Sequence, residues 1–240
     1  MTSRDDMLAY LRDRLDPTVR LYAGAADALP KHWQDYDSDD QALRRFALRQ
    51  ELAAYEPYLP STMAGLEQVA LDAFIVQTDR LGVLRIIARQ IGGKVYGTYS
   101  ALPTGDDSAG SAAMKLLFAH GPKALAWTYR TRMNGLTDPF GFAGFKTSAL
   151  LTTMADEADT YAEADWYAAF AKQHDTCSIV EFLATGGGAY LLLDLSRDQS
   201  AAEDPEGLVV YMNEGTPPET VSFFQYLDMF MELGLTDSGR

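Results

Sequence analysis

Apolar residues recur at helical spacing over Asp5 to Leu15, where Met7, Leu8, Leu11 and Leu15 share a face and Ser3 or Asp5 stands at a capping position. Asp16-Pro17 ends this helix, because the residue before a proline avoids the helical region. Val19 to Leu29 reads as a second helical piece that stops at Pro30. Gln41 to Tyr55 predicts a longer helix with Leu43, Phe46, Ala47, Gln50 and Ala54 on one face, and Pro57 and Pro60 punctuate its end. Met63 to Ile91 is largely helical in pattern, through Leu66, Val69, Ala70 and Phe74. Within it, Val83 to Ile91 is open to two readings. Leu84, Ile86 and Ile87 suit a strand, while Arg85 and Arg89 fall four apart as on a helix face. Gly92-Gly93 ends the segment, and Lys94 to Tyr99 has strand composition.

Leu102 to Ser111 is the most loop-like stretch, with Pro103, Gly105, Asp106, Asp107, Ser108 and Gly110, and a domain boundary would fall here. Ala112 to Ala119 predicts a short apolar helix, and Lys123 to Arg132 could be helix or strand. Gly135 to Gly144 is a loop whose nearby aromatics, Phe140, Phe142 and Phe145, read as anchors on the core more than as a ligand platform. Gly186, Gly187 and Gly188 interrupt a helix-like approach and permit a sharp turn. Tyr190 to Leu193, with Leu195, then reads as a strand buried on both faces. Arg197 to Gly207 is a hairpin loop, Leu208 to Met212 a second strand antiparallel to the first, and Asn213 to Glu219 a turn. The last helix has Ser222 and Gln225 in a capping-box pattern, an apolar stripe of Phe223, Leu227, Phe230 and Met231, and Gly234 placed to terminate it. No internal repeat is visible.

Composition narrows the classes. The chain has 240 residues, 47% of them apolar, and 13 tyrosines, which argues for a packed globular protein of one large domain or two small ones. Its 20 basic and 34 acidic side chains give a net charge of −14, which repels nucleic acid and attracts a basic partner. The bland alternative is that many soluble proteins are simply acidic. Cys177 stands alone, so no intrachain disulfide forms, which fits a reducing compartment. Met1 to Asp16 lacks the uninterrupted apolar core of a signal peptide, and no apolar run approaches the ~20 residues of a membrane span. The expectation is a cytoplasmic protein without a membrane or nucleic-acid partner.

The strongest local charge signal is Asp156, Glu157, Asp159, Glu163 and Asp165, with no lysine or arginine between Lys146 and Lys172. These five are the candidate partner-binding residues, against the plain reading of a solvated helix face. Asp35, Asp37, Asp39 and Asp40 lack the glycine and the twelfth-position glutamate of a calcium loop, so an acidic loop or helix start is the better reading. Gly93-Lys94 is followed by Val95 instead of the serine or threonine of a phosphate loop, and Gly186 to Gly188 precede a strand where a dinucleotide fingerprint would follow one. His32, His120 and His174 are too scattered for a metal site. Cys177 lies three residues from His174, but no third orienting group is nominated, so a buried structural cysteine is expected. Asp194 is expected to accept backbone N–H groups of neighbouring loops. No catalytic residue, metal or cofactor is assigned.

Gly186, Gly187, Gly188, Ala189, Tyr190, Leu191 to Leu193, Asp194 and Leu195 resemble the signature of the SUKH superfamily of Smi–Knr-type domains. That signature has two or three glycines, an aromatic, apolar residues and then Asp-Leu. Asp165, Trp166, Tyr167 and Phe170 are similar to the family's upstream tryptophan segment. Gly207 to Tyr211 and Ser222 to Phe224 stand where it has a strand and a final helix. The resemblance spans roughly Phe140 to Leu235. It implies an α+β fold, a small and mostly antiparallel sheet surrounded by helices, over residues 112 to 240. A helix-rich portion over 1 to 101 precedes it, unless 1 to 240 is one continuous domain. Bacterial members commonly act as immunity proteins that bind a cognate toxin, often a nuclease, and block it. The implied partner is a protein toxin with a basic surface; a homodimer stays open. The competing functions are a hydrolase using two carboxylates, and a general interaction scaffold. A deep pocket with converging carboxylates would favour the hydrolase, and a flat acidic surface the binder.

Overall fold

Side-chain alternation along two antiparallel sheets organises the chain. The structure, a computed structural model, describes residues 4–105 and 110–236. Ser3, Asp106, Asp107 and Ser108, named above, lie outside the described residues. The element order opens with α1 (Arg4–Arg14), β1 (Arg20–Leu21), α2 (Gln41–Ala53), α3 (Pro60–Val69), β2 (Ala70–Thr78), β3 (Gly82–Ile91) and β4 (Lys94–Ala101). Next come α4 (Ala112–His120), α5 (Lys123–Trp127), β5 (Asn134–Thr137), β6 (Thr152–Thr153), α6 (Ala158–Tyr161) and α7 (Tyr167–Phe170). The chain closes with β7 (Ile179–Ala184), β8 (Ala189–Asp194), β9 (Glu206–Tyr211), β10 (Glu219–Ser222) and α8 (Phe223–Thr236). One sheet runs β1-β2-β3-β4-β5 and the other β10-β9-β8-β7-β6, with antiparallel pairing throughout. The class is α+β, with two five-stranded sheets where one small sheet was expected.

The first sheet includes the main correction to the sequence reading. The helix expected from Met63 onward stops at Val69 and gives way to strand β2, while Val83 to Ile91, open between strand and helix in the sequence, is strand β3, paired with β2 in a hairpin. Phe74 and Val76 of β2, with Leu84, Ile86 and Ala88 of β3, pack with Met7, Leu8 and Leu11 of α1. Ala73, Ile75 and Ile87 point the other way, into the main core. This period of two is a strand's, and Arg85 and Arg89 share a face because an interval of four is even along a strand as well. Val19 to Leu29 is not helical either: it supplies β1 and a 3₁₀ turn at Ala26–Ala28.

Helix α2 also turns differently from its hydropathy. Leu43 and Phe46 are exposed, and the buried positions are Arg44, Leu48, Glu51 and Leu52. Two ion pairs set this rotation. Arg44 donates to both carboxylate oxygens of Asp72 on β2, at 2.9 and 2.5 Å. Glu51 pairs with Arg85 on β3. Asp40 starts the helix by accepting from Ala42 N at 2.8 Å, the helix-start role expected of that acidic run.

The main core takes Ile75 and Ile87 from the first sheet, Phe182, Leu191, Leu193 and Val209 from the second, and Phe223, Leu227 and Met231 from α8. The first sheet is completed by β5, from beyond the 102–111 loop. Helix α8 ties the halves together: Arg89 donates to the Leu235 carbonyl, and Asp228 accepts from Ser61 N and Thr62 N at 3.0 and 2.8 Å at the start of α3. The capping expected of Ser222 and Gln225 falls instead to Asp204, which accepts from Phe224 N at 2.9 Å and from the Ser222 hydroxyl. Gly234 does not terminate α8 but lies inside it, where an added Cβ would come 3.0 Å from Ala143 Cα. No helix among the described residues is long and apolar enough to cross a membrane.

Candidate functional site

The glycine turn joins two strands. Its approach is β7, not a helix, and every residue of β7 is buried. Gly186 and Gly188 have φ of +71° and +85°, a region that residues with a Cβ avoid. Space is short as well: a Cβ on Gly186 would lie 3.1 Å from the Phe142 ring, and one on Gly188 2.9 Å from Asn213 Nδ2. Thr185 Oγ1 accepts from Gly187 N and Ala189 N, both at 3.3 Å, and Asn213 Nδ2 donates to Gly187 O at 3.0 Å. Strand β8 then buries Leu191 and Leu193 in the main core and Leu192 on the opposite face. Tyr190 and Asp194 therefore occupy opposite ends of the strand. Asp194 does accept a backbone N–H, from Ser196 at 2.9 Å, but away from the glycine turn.

The acidic segment covers the outer face of the second sheet. Met154, Tyr161, Ala164 and Trp166 pack on Ile179, Leu192, Leu208 and Val210. The carboxylates fall between these apolar anchors, so Asp156, Asp159, Glu163 and Asp165 are exposed and Glu157 is half-buried. The cover is not one solvated helix: α6 and α7 are single turns linked by tight bends. Asp156 braces it by accepting from Thr153 N and Thr153 Oγ1, both at 2.8 Å.

Beneath the cover lies a buried polar group that hydropathy did not reveal. Glu181 Oε2 accepts from the Tyr161 hydroxyl at 2.7 Å, and Oε1 meets Lys146 Nζ at 2.5 Å. Tyr190 lies beside Tyr161, ring centroids 5.8 Å apart. Burial, then Glu181, Glu157 and Glu163, push the Tyr190 hydroxyl pKa up. The structure thus brings Glu157 and Glu163 of the acidic set into electrostatic reach of Tyr190 of the glycine motif.

A cleft of about 740 Å³ opens on the other side of the glycine turn. Its walls include Tyr10 and Arg14 of α1, Arg89 of β3, Tyr96 of β4, and Asp138, Phe140 and Phe142 of the loop after β5. Phe145 anchors that loop in the core as expected, but Phe140 and Phe142 are 53% and 42% exposed. Asp138 Oδ1 shapes the loop by accepting from Phe140 N at 3.0 Å and Phe142 N at 2.8 Å. None of the five candidate acids lines this cleft, and Asp138 is the one carboxylate among its lining residues.

The remaining candidates form no constellation. Cys177 is exposed, not buried, because it sits in the 3₁₀ turn Thr176–Ser178 ahead of β7. His174 stacks on Phe170 with ring centroids 4.0 Å apart. His32 Nε2 lies 2.8 Å from the Arg132 carbonyl. No group of three or more His, Cys, Asp or Glu side chains able to hold a metal is found among the described residues. Comparison with protein-family models, curated proteins and solved structures finds no match to this chain.

Proposed function

We propose that this protein is a SUKH-like immunity protein that binds a cognate protein toxin through an acidic surface and blocks it in the cytoplasm. The observation that carries the reading is the braced cover on the second sheet. Its exposed Asp156, Asp159, Glu163 and Asp165 interrupt a row of buried anchors, with no cation between Lys146 and Lys172. Carboxylates held on packed turns lose little freedom on binding, and a charge of −14 steers a basic partner toward them. A basic nuclease groove is a natural target for such a surface.

The test is co-expression with the product of the neighbouring open reading frame, scoring complex formation and rescue of growth. A stable complex with rescue is expected. Its association rate should fall at least roughly tenfold between low and high salt, since steering is screened over about 10 Å at 0.1 M. Asp159→Lys, Glu163→Lys and Asp165→Lys together should weaken binding by about a hundredfold while the circular dichroism spectrum stays unchanged. Unchanged affinity would remove this surface, and neither complex nor rescue would remove that pairing.

A further inference from the structure

The cleft beside the glycine turn has a chemistry that toxin binding through the outer acidic cover leaves unused. In a chain of net charge −14 its walls include Arg14 and the buried Arg89, with Asp138 the one carboxylate among the lining residues. Arg89 is held in place by the Leu235 carbonyl. Arg14 is half-exposed, and its ion-pair partner is the adjacent, exposed Asp13 at 2.8 Å. An exposed pair of that kind contributes little and exchanges readily for another anion. Arg14, Arg89 and Asp138 line the same cleft as Tyr10.

The rest of the wall is mostly apolar, with Thr185 among its lining residues. Tyr10, Tyr96, Phe140 and Phe142 supply four rings, and Ile91 supplies an aliphatic surface. The Phe142 ring lies against Gly186. Gly187 lines the cleft without a side chain, and an added Cβ there would meet only Thr185 Oγ1 at 3.7 Å, leaving room for an occupant to approach the backbone. A volume of about 740 Å³ lies within the range of small-molecule sites, which combine apolar walls with a few convergent polar groups.

We infer that this cleft binds a small organic anion, a carboxylate or phosphate monoester on a flat aromatic body. Arg14 receives the anionic head, and Tyr10, Tyr96, Phe140 and Phe142 receive the ring. The assignment stands apart from the proposed toxin surface, because the two share no residue.

The full chain is titrated calorimetrically with 2-naphthoate, 2-naphthyl phosphate and the uncharged 2-naphthalenemethanol. At least one anion should bind with a Kd below about 1 mM, and the alcohol at least about tenfold more weakly. Whichever anion binds better identifies the head group, and either order supports the site. Arg14→Gln should lose about tenfold in affinity for the anions and little for the alcohol. Phe140→Ala should weaken anions and alcohol alike. Both side chains are exposed, so melting temperatures should not move. Failure of both anions to bind below about 5 mM would overturn the inference. So would equal affinity for anion and alcohol, or anion affinity unchanged in both variants.

Discussion

Arg85 shows what a single side chain imposes on the fold. It is 1% exposed, faces the main core from the middle of β3, and pairs there with Glu51. Its guanidinium lies 5.5 Å from the ring centroids of both Trp33 and Tyr36, and the Tyr36 hydroxyl donates to Glu51 Oε2 at 2.8 Å. Burial alone would lower the pKa of Arg85, but Glu51 and Tyr36 outweigh it and raise the value above the ordinary one. A buried cation so surrounded is costly to leave alone. Glu51→Ala should therefore destabilise the protein by about 3–5 kcal/mol in urea denaturation. Glu51→Leu combined with Arg85→Met should recover most of that loss, because the desolvation cost disappears with the charges. A Glu51→Ala loss below about 1 kcal/mol would mean that the guanidinium finds water or another partner.

At the scale of elements, what could be read from the sequence depended on whether hydropathy and geometry agreed. Helix α1, the helix at Ala112, strand β8 and the final helix each combine an apolar run with clear boundaries, and each lies close to where the pattern put it. The β2–β3 hairpin was hidden because residues four apart share a face in a helix and in a strand alike. The rotation of α2 was hidden for another reason. Its buried Arg44 and Glu51 find Asp72 and Arg85 far along the chain, and nothing local marks a charged residue as paired. Asp228 makes the same point on α8, where it looks like a polar interruption of an apolar stripe yet holds two backbone amides of α3. Asp228→Ala should cost about 1–3 kcal/mol, the penalty for leaving buried donors unsatisfied. Hydrogen exchange at Ser61 and Thr62 should accelerate with it. Exchange unchanged at both amides would show that α3 does not depend on this cap. The candidate site was legible in part for the same physical reason. The acids of 156–165 were visible because exposure needs no partner, whereas Glu181 beneath them and the Arg14–Arg89 cleft arise only from tertiary packing.

Carboxylates cover the second sheet, and Arg14 and Arg89 line the cleft beside the glycine turn. Tyr36, Tyr55, Tyr99, Tyr129 and Tyr161 are buried, and Tyr10, Tyr190 and Tyr211 are half-buried. Tyr10, Tyr36, Tyr55, Tyr99, Tyr129, Tyr161, Tyr190 and Tyr211 all have hydroxyl pKa values pushed upward, with burial the leading cause in each. At Tyr36, Tyr161 and Tyr190 a neighbouring glutamate adds to the shift. In the unfolded chain a tyrosine ionises near about pH 10. Above that pH the unfolded state has lost protons that the folded state keeps, so stability must fall as pH rises. The stabilising contribution is complete below about pH 10 and is lost progressively above it. The net charge of −14 works in the same direction, since each new phenolate adds to an already negative molecule. Urea melts should therefore give a lower unfolding free energy at about pH 11 than at about pH 8. Phenolate absorbance should rise together with the loss of circular dichroism, because these hydroxyls reach water when the core opens. A smooth titration centred at about pH 10, with the fold and its stability intact, would contradict the burial of Tyr36, Tyr55, Tyr99, Tyr129 and Tyr161. The Tyr161→Phe variant separates the two contributions under the acidic cover. It removes one late-ionising hydroxyl and the hydrogen bond to Glu181 Oε2, so it should lower stability at neutral pH yet flatten its decline at high pH.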